Sequence, residues 1–208
     1  MRTGSQRSSG VLGALLLGLA LGLGLLPGPA LGTPSPADLQ AAMLSQGDLP
    51  QYQFGEMVPA EIHRWSWCGE TIDNPYSRGM EAVFEGKADR RLNEGLYSYR
   101  SPRLARTWFK EQKRLAGSCT RFTVGPERYS HIRSVKPPTL RGARQVHALR
   151  YTIHVPGSGW RVHVMKVSIR RAAWTQSVTL TEPQPPPRAR AVKVVRVAYR
   201  KAVANLVP

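Results

Sequence analysis

EGLYSYRSPRLARTWFKEQKRLAGSC, residues 94–119, contains the change of period on which the fold turns. Up to Tyr99 it reads as extended chain, carrying Leu96, Tyr97 and Tyr99. From Ser101-Pro102 onward, Ala105, Trp108, Phe109, Leu115, Ala116 and Cys119 recur at helical spacing, which predicts an amphipathic helix with Cys119 on its buried stripe. Arg103, Arg106, Lys110, Lys113 and Arg114 take the remaining surface and give that helix a cationic back. An apolar helix face beside extended segments needs a sheet to cover it.

Downstream, from Arg121 to Thr181, the pattern is β: 122–124, 129–135, 146–155, 160–169 and 174–180, punctuated by Gly and Pro. Pro156-Gly157-Ser158-Gly159 predicts a hairpin in which Val155 faces Trp160. That register places Tyr151, Ile153, Val155, Trp160, Val162 and Val164 on an apolar face and Arg150, Thr152, His154, Arg161 and His163 on the other. A polyproline-like connector, 182–187, then leads to a last helix over 188–206, with Ala191, Val195, Ala198, Tyr199, Ala202 and Leu206 on one stripe.

Upstream, Ser35-Pro36-Ala37-Asp38 reads as the capped start of a short helix through Leu39, Ala42 and Met43 that stops near Gly47. An irregular or extended stretch through Tyr52 and Phe54 follows. Residues 61–68 alternate as a strand, with His63, Trp65 and Trp67 on one side and Arg64, Ser66 and Cys68 on the other, both sides expected to be buried. Two further extended stretches, 80–85 and 92–99, lead back to the decisive segment. The pair Trp65 and Trp67 reads as core in preference to an exposed aromatic platform. The sum is an α+β domain, a twisted antiparallel sheet with helices packed on it.

The first residues have the order of a secretory signal: Arg2 and Arg7, an apolar run from Val11 to Leu26, then Pro27, Gly28 and Pro29. Residues 1–32 are therefore expected to be a signal peptide and 33–208 a single domain, with an uncleaved N-terminal anchor facing outside as the alternative. No later apolar span reaches membrane length, so any signalling would pass through a partner. Export makes the two cysteines one bridge, Cys68 to Cys119, stabilising by about 4 kcal/mol in the loop-entropy picture. A catalytic thiol would want a C-x-x-C pair or a matched His, and neither is evident.

The chain carries a formal charge of +17, which falls to +15 without Arg2 and Arg7. Such a field attracts anions outside the cell: wall polymers bearing phosphate, anionic lipid head groups and stray nucleic acid. No RNP-type motif, zinc module or helix-turn-helix is visible, so no specific nucleic-acid partner is expected. Nor is there a nucleophile elbow, P-loop, dinucleotide fingerprint or H-E-x-x-H helix. Glu70 and Asp73 lie near each other in sequence but read as turn polarity rather than a catalytic pair. No cofactor is implied. His154 and His163 are too few to hold a metal, and Arg150 and Arg161 beside them repel a cation. The same four residues suit an anion, since guanidinium and imidazole groups offer many donors to phosphate or carboxylate. Arg150, His154, Arg161 and His163 are the candidate ligand-binding residues.

The succession of a signal segment, LSQGDLPQYQF at 44–54, Cys68, the 94–119 segment, a β-rich half and a final helix resembles the PknH-like extracellular sensor domains of actinobacteria and the secreted proteins similar to them. The resemblance runs over about residues 37–206 and rests on layout. It implies a non-enzymatic α+β domain with a ligand cleft and a disulfide tying the Ser101 helix to an upstream strand, as Cys119 and Cys68 would. Kinase-linked members have a second bridge, whereas this chain has two Cys in all. No ligand residues carry over. The expected function is that of a secreted, sensor-like ligand-binding domain for an anionic or amphipathic cell-envelope component. The alternatives are a secreted hydrolase with a site assembled from separate strands, or a passive basic protein attached to a wall polymer or membrane surface.

Overall fold

The computed structural model describes residues 33–61 and 64–206. The signal segment and His63 lie outside them. Three helices, α1 (Pro36–Ala42), α2 (Pro102–Ala116) and α3 (Arg188–Leu206), pack on a large antiparallel sheet. Its strands are β1 (Tyr52–Pro59), β4 (Arg78–Gly86), β5 (Arg90–Ser98), β6 (Phe122–Val124), β7 (Glu127–Val135), β8 (Gln145–His154), β9 (Arg161–Arg171) and β10 (Trp174–Glu182). They run in the order β1-β4-β5-β10-β9-β8-β7-β6. A separate hairpin joins β2 (Arg64–Trp67) to β3 (Glu70–Asp73).

Local chemistry fixes several boundaries. Ser35 caps α1, its hydroxyl accepting from the Asp38 amide at 3.1 Å while the Asp38 carboxylate accepts from the Ser35 amide at 2.8 Å. Helix α1 ends at Ala42, earlier than the expected stop near Gly47, and a 3-10 turn at Gln46–Asp48 leads into β1. Ser101 caps α2 and Gly117 closes it, so Cys119 lies beyond the helix rather than on its stripe. The β8–β9 hairpin has the expected register, His154 opposite Arg161 and Ile153 opposite Val162.

Each face of the sheet has its own covering. On one face α1 and α3 bury Leu39, Met43, Phe84, Leu92, Met165, Ile169, Leu180, Val195 and Ala198 in the main core. On the opposite face, α2 and the β2–β3 hairpin cover two smaller aromatic-rich clusters. One contains Trp67, Leu115, Leu149, Tyr151, Val162 and Val164; the other contains Tyr76, Tyr99, Ala105 and Trp108.

The Trp pair stacks, with ring centroids 5.5 Å apart, and Trp67 is buried among Phe122, Tyr129 and Tyr151. The expectation that both sides of the 61–68 segment are buried fails for its other side, because Arg64 and Ser66 are exposed. Strands of the main sheet have a covering layer on each face, whereas this hairpin stands outside that sheet and is itself part of a cover. Cys68 is in its turn. With φ of 54° at Cys68 and 82° at Gly69, and Trp67 opposite Glu70, the turn has two consecutive left-handed residues. The disulfide to Cys119, with a Cα–Cα distance of 6.1 Å, fastens this turn to the chain leaving α2.

Candidate functional site

Along β9 the residues turned toward α2 begin apolar, with Val162 and Val164, and then become Lys166, Ser168 and Arg170. Neighbouring strands continue the polar ground: Thr175 and Ser177 on β10, Tyr97 on β5, Glu81 on β4. Trp108 and Gln112 of α2 and Arg64 and Trp65 of β2 rise beside it, with Asn74 following β3. Apart from Val162, Val164 and Arg170, these residues line a groove of about 160 Å³ on this face.

Tyr97 lies flat on the sheet floor because two strand positions have no side chain. A Cβ on Gly95 would come within 2.6 Å of the Tyr97 hydroxyl oxygen, and one on Gly79 within 2.8 Å of the ring. The Tyr97 hydroxyl donates to Glu81 Oε1 at 2.6 Å, and burial together with that carboxylate holds the phenol well above its ordinary range.

Lys166 stands 5.3 Å from the Trp65 ring centroid. Among the described residues no carboxylate lies within salt-bridge distance of its amine. Burial lowers its pKa to about 8, with the Glu81 charge acting in the opposite direction. A half-buried cation without a carboxylate partner, beside an indole and several hydroxyls, can accept an anionic group whose remaining part is apolar. Among the described residues no group of His, Cys, Asp and Glu is arranged to hold a metal ion.

The four residues expected from the hairpin lie elsewhere, on the α1/α3 face. Arg150 Nη2 donates to the Pro186 carbonyl at 2.9 Å, steadying the connector before α3. His163 meets Thr152 at 3.3 Å, and His154 is paired across the ladder with the exposed Arg161. The Arg161 charge and partial burial lower the His163 pKa, burial being the larger cause. Arg150 and His154 are four residues apart on one strand, or about 13 Å, so the set lines a face without converging.

Reading the sequence for motifs missed Lys166, Glu81 and Tyr97. The signal was nevertheless there: on β9 the residues facing α2 change from Val162 and Val164 to Lys166 and Ser168, while the alternate residues Met165, Val167 and Ile169 are apolar and buried in the main core.

Solved structures supply the comparison. The extracellular domain of PknH from Mycobacterium tuberculosis superposes with a TM-score of 0.56 at 9% identity, over 81% of this chain and 97% of that one. An uncharacterized protein from Mycobacterium smegmatis matches with a TM-score of 0.49 at 13% identity, over 80% of this chain and 94% of that one. No family model matches the chain. No curated protein matches it either. The chain has the fold of the PknH extracellular domain.

Proposed function

We propose that this chain is an exported, non-enzymatic ligand-binding domain of the sensor type, taking an anionic or amphipathic envelope component into the groove at Lys166. One observation carries the reading: a half-buried ammonium without a carboxylate partner among the described residues, placed between aromatic walls. Export is supported by the signal-like order of residues 1–32 and by the Cys68–Cys119 disulfide, which belongs to an oxidising compartment. No described helix is long and apolar enough to cross a membrane. A groove of 160 Å³ equals about five liquid-water volumes, room for a phosphate or carboxylate head with its apolar part running out past Trp65 and Trp108.

Dodecyl phosphate serves as a probe. Calorimetric titration at pH 7 is expected to show saturable binding to residues 33–208, weakened at least tenfold in Lys166→Met. Because the amine is charged below about pH 8, wild-type affinity falls as pH rises through that value, and the variant lacks this dependence. Equal affinity of the two proteins, or a pH profile shared by both, refutes the assignment.

A further inference from the structure

Two turns meet at the end of the sheet farthest from the groove's polar floor, and their composition differs from the rest of the surface. The β6–β7 turn is Gly125-Pro126 and the β8–β9 turn is Pro156-Gly157-Ser158-Gly159, neither with a charged residue. Ladder registers align their flanks into two rows. Val124, Glu127, Val155 and Trp160 form the last row on the α2 face, and Thr123, Arg128, His154 and Arg161 form the adjoining row on the opposite face.

The first row carries two of the three large hydrophobic side chains exposed among the described residues, Val124 at 54% and Trp160 at 44%. Its single carboxylate, Glu127, accepts the Tyr129 hydroxyl at 2.6 Å. In the second row Arg128 and Arg161 are exposed, and the exposed Arg121 directly precedes β6. The backbone of the longer turn is bonded within itself: the Val155 amide donates to the Trp160 carbonyl at 3.0 Å, the Ser158 hydroxyl to the Val155 carbonyl at 3.0 Å, and the Trp160 amide to the Ser158 hydroxyl at 3.1 Å.

We propose that this end of the sheet is a docking surface for an anionic lipid bilayer. The charge-free turns and the Trp160 and Val124 side chains enter the interfacial zone while Arg121, Arg128 and Arg161 engage phosphate head groups. Each part has a physical cause. Trp at an interface keeps one end apolar and the other wet, and a turn whose Val155, Ser158 and Trp160 amides are bonded internally loses less on leaving water than an open one. Basic residues around a small apolar tip supply the second signal that stable attachment needs. A soluble polyanion would use the arginines alone and gain nothing from Trp160 or Val124.

The test uses residues 33–208, since Leu31–Pro208 form one compact unit holding the described core and the apolar N-terminal segment would bind lipid by itself. Cosedimentation with vesicles of equimolar phosphatidylglycerol and phosphatidylcholine is expected, with little binding to pure phosphatidylcholine. Val124→Ser with Trp160→Ser weakens it at least roughly tenfold at unchanged melting temperature. Arg128→Gln with Arg161→Gln weakens it about fivefold per Arg removed. Bromine on the lipid chains quenches wild-type tryptophan fluorescence and leaves Trp160→Phe unquenched. Undiminished vesicle binding by the Val124/Trp160 variant, identical quenching of wild type and Trp160→Phe, or no wild-type binding overturns the proposal. So does an equal loss of binding to soluble polyphosphate in the Val124/Trp160 variant, which would assign both residues to a polyanion site.

Discussion

Glu94 on β5 faces α1 at 1% exposure, in a core that is mostly apolar. Its two carboxyl oxygens accept the Leu44 amide at 2.7 Å and the Gln176 side-chain amide at 2.6 Å, so it fastens the chain leaving α1 to the centre of the sheet. Lys201 and Asp48 are the charged groups that act on it, with opposite signs. Burial prevails over both hydrogen bonds and raises the carboxyl pKa to about 7, against an ordinary 4.5. A raised acid pKa means the folded protein binds the proton more tightly than the unfolded chain. The contribution to stability is therefore present below pH 4.5 and is lost progressively as pH rises to 7, by an amount on the order of 3 kcal/mol. Urea midpoints measured from pH 4.5 to 7.5 should decline more steeply in wild type than in Glu94→Gln. Parallel profiles would show that another group governs this range. Lys166 presents the same conflict with reversed sign, a base pushed down by burial, but it opens on a groove where a ligand anion can relieve it.

Among the elements, the β2–β3 hairpin is the least self-sufficient. It has four residues a side and stands outside the main sheet, and an isolated two-stranded hairpin is marginal in water. Its attachments are Trp67 in its aromatic nest, Trp65 against Trp108 and Lys166, the Glu70–Arg114 ion pair at 2.9 Å, and the bridge from Cys68 to Cys119. The bridge closes a separation of 51 residues, worth about 4 kcal/mol in the loop-entropy model. Cys68 also occupies a left-handed turn position, φ 54°, that costs a residue with a Cβ about 1 kcal/mol relative to Gly. Cys68→Ser with Cys119→Ser should therefore lose about 4 kcal/mol by denaturant unfolding, and Cys68→Gly with Cys119→Ser about 1 kcal/mol less. Equal losses in the two variants would mean that the turn does not hold this backbone without its bridge. The hairpin also shows where sequence reading stopped. Alternation of His63, Trp65 and Trp67 announced a strand and its aromatic side, because period two is a local property of the backbone. It could not announce that the strand leaves the main sheet. That depends on β1 taking the place beside β4, a pairing between segments separated by the hairpin itself.

At the scale of the molecule, β10 holds the two halves of the sheet together. It pairs with β5 on one side, Val178 opposite Glu94, and with β9 on the other, Val178 opposite Val167. The β-rich second half was legible from its turns and alternation, and its hairpin register followed from the Pro156–Gly159 spacing. The insertion of its last strand beside β5 was not, since a pairing between segments tens of residues apart is set by tertiary packing rather than by any turn. The groove inherits this dependence: Tyr97 and Glu81 come from the first half, Lys166, Thr175 and Ser177 from the second, and only the β5–β10 pairing brings them together. The helix following β10 makes that pairing worthwhile. Ala191, Val194, Val195, Ala198 and Ala202 of α3 are almost wholly buried in the main core, where α3 packs on β10 and α1. Tyr199 adds a hydrogen bond to the Arg141 carbonyl at 3.1 Å, and Lys201 an ion pair with Asp48 at 2.5 Å. Without α3, the apolar sheet face carrying Val167, Ile169 and Val178 would be open to water, at about 25 cal/mol for each Å² exposed. A chain of residues 33–182 is thus expected to lose its cooperative thermal transition and to bind a hydrophobic dye, since removing one helix exposes the main core rather than trimming an appendage. Circular dichroism through the melt is the measurement. A sharp transition within a few degrees of the 33–208 protein would show that α1 and the sheet form a sufficient core alone, and the central role given to the β10–α3 unit would fall.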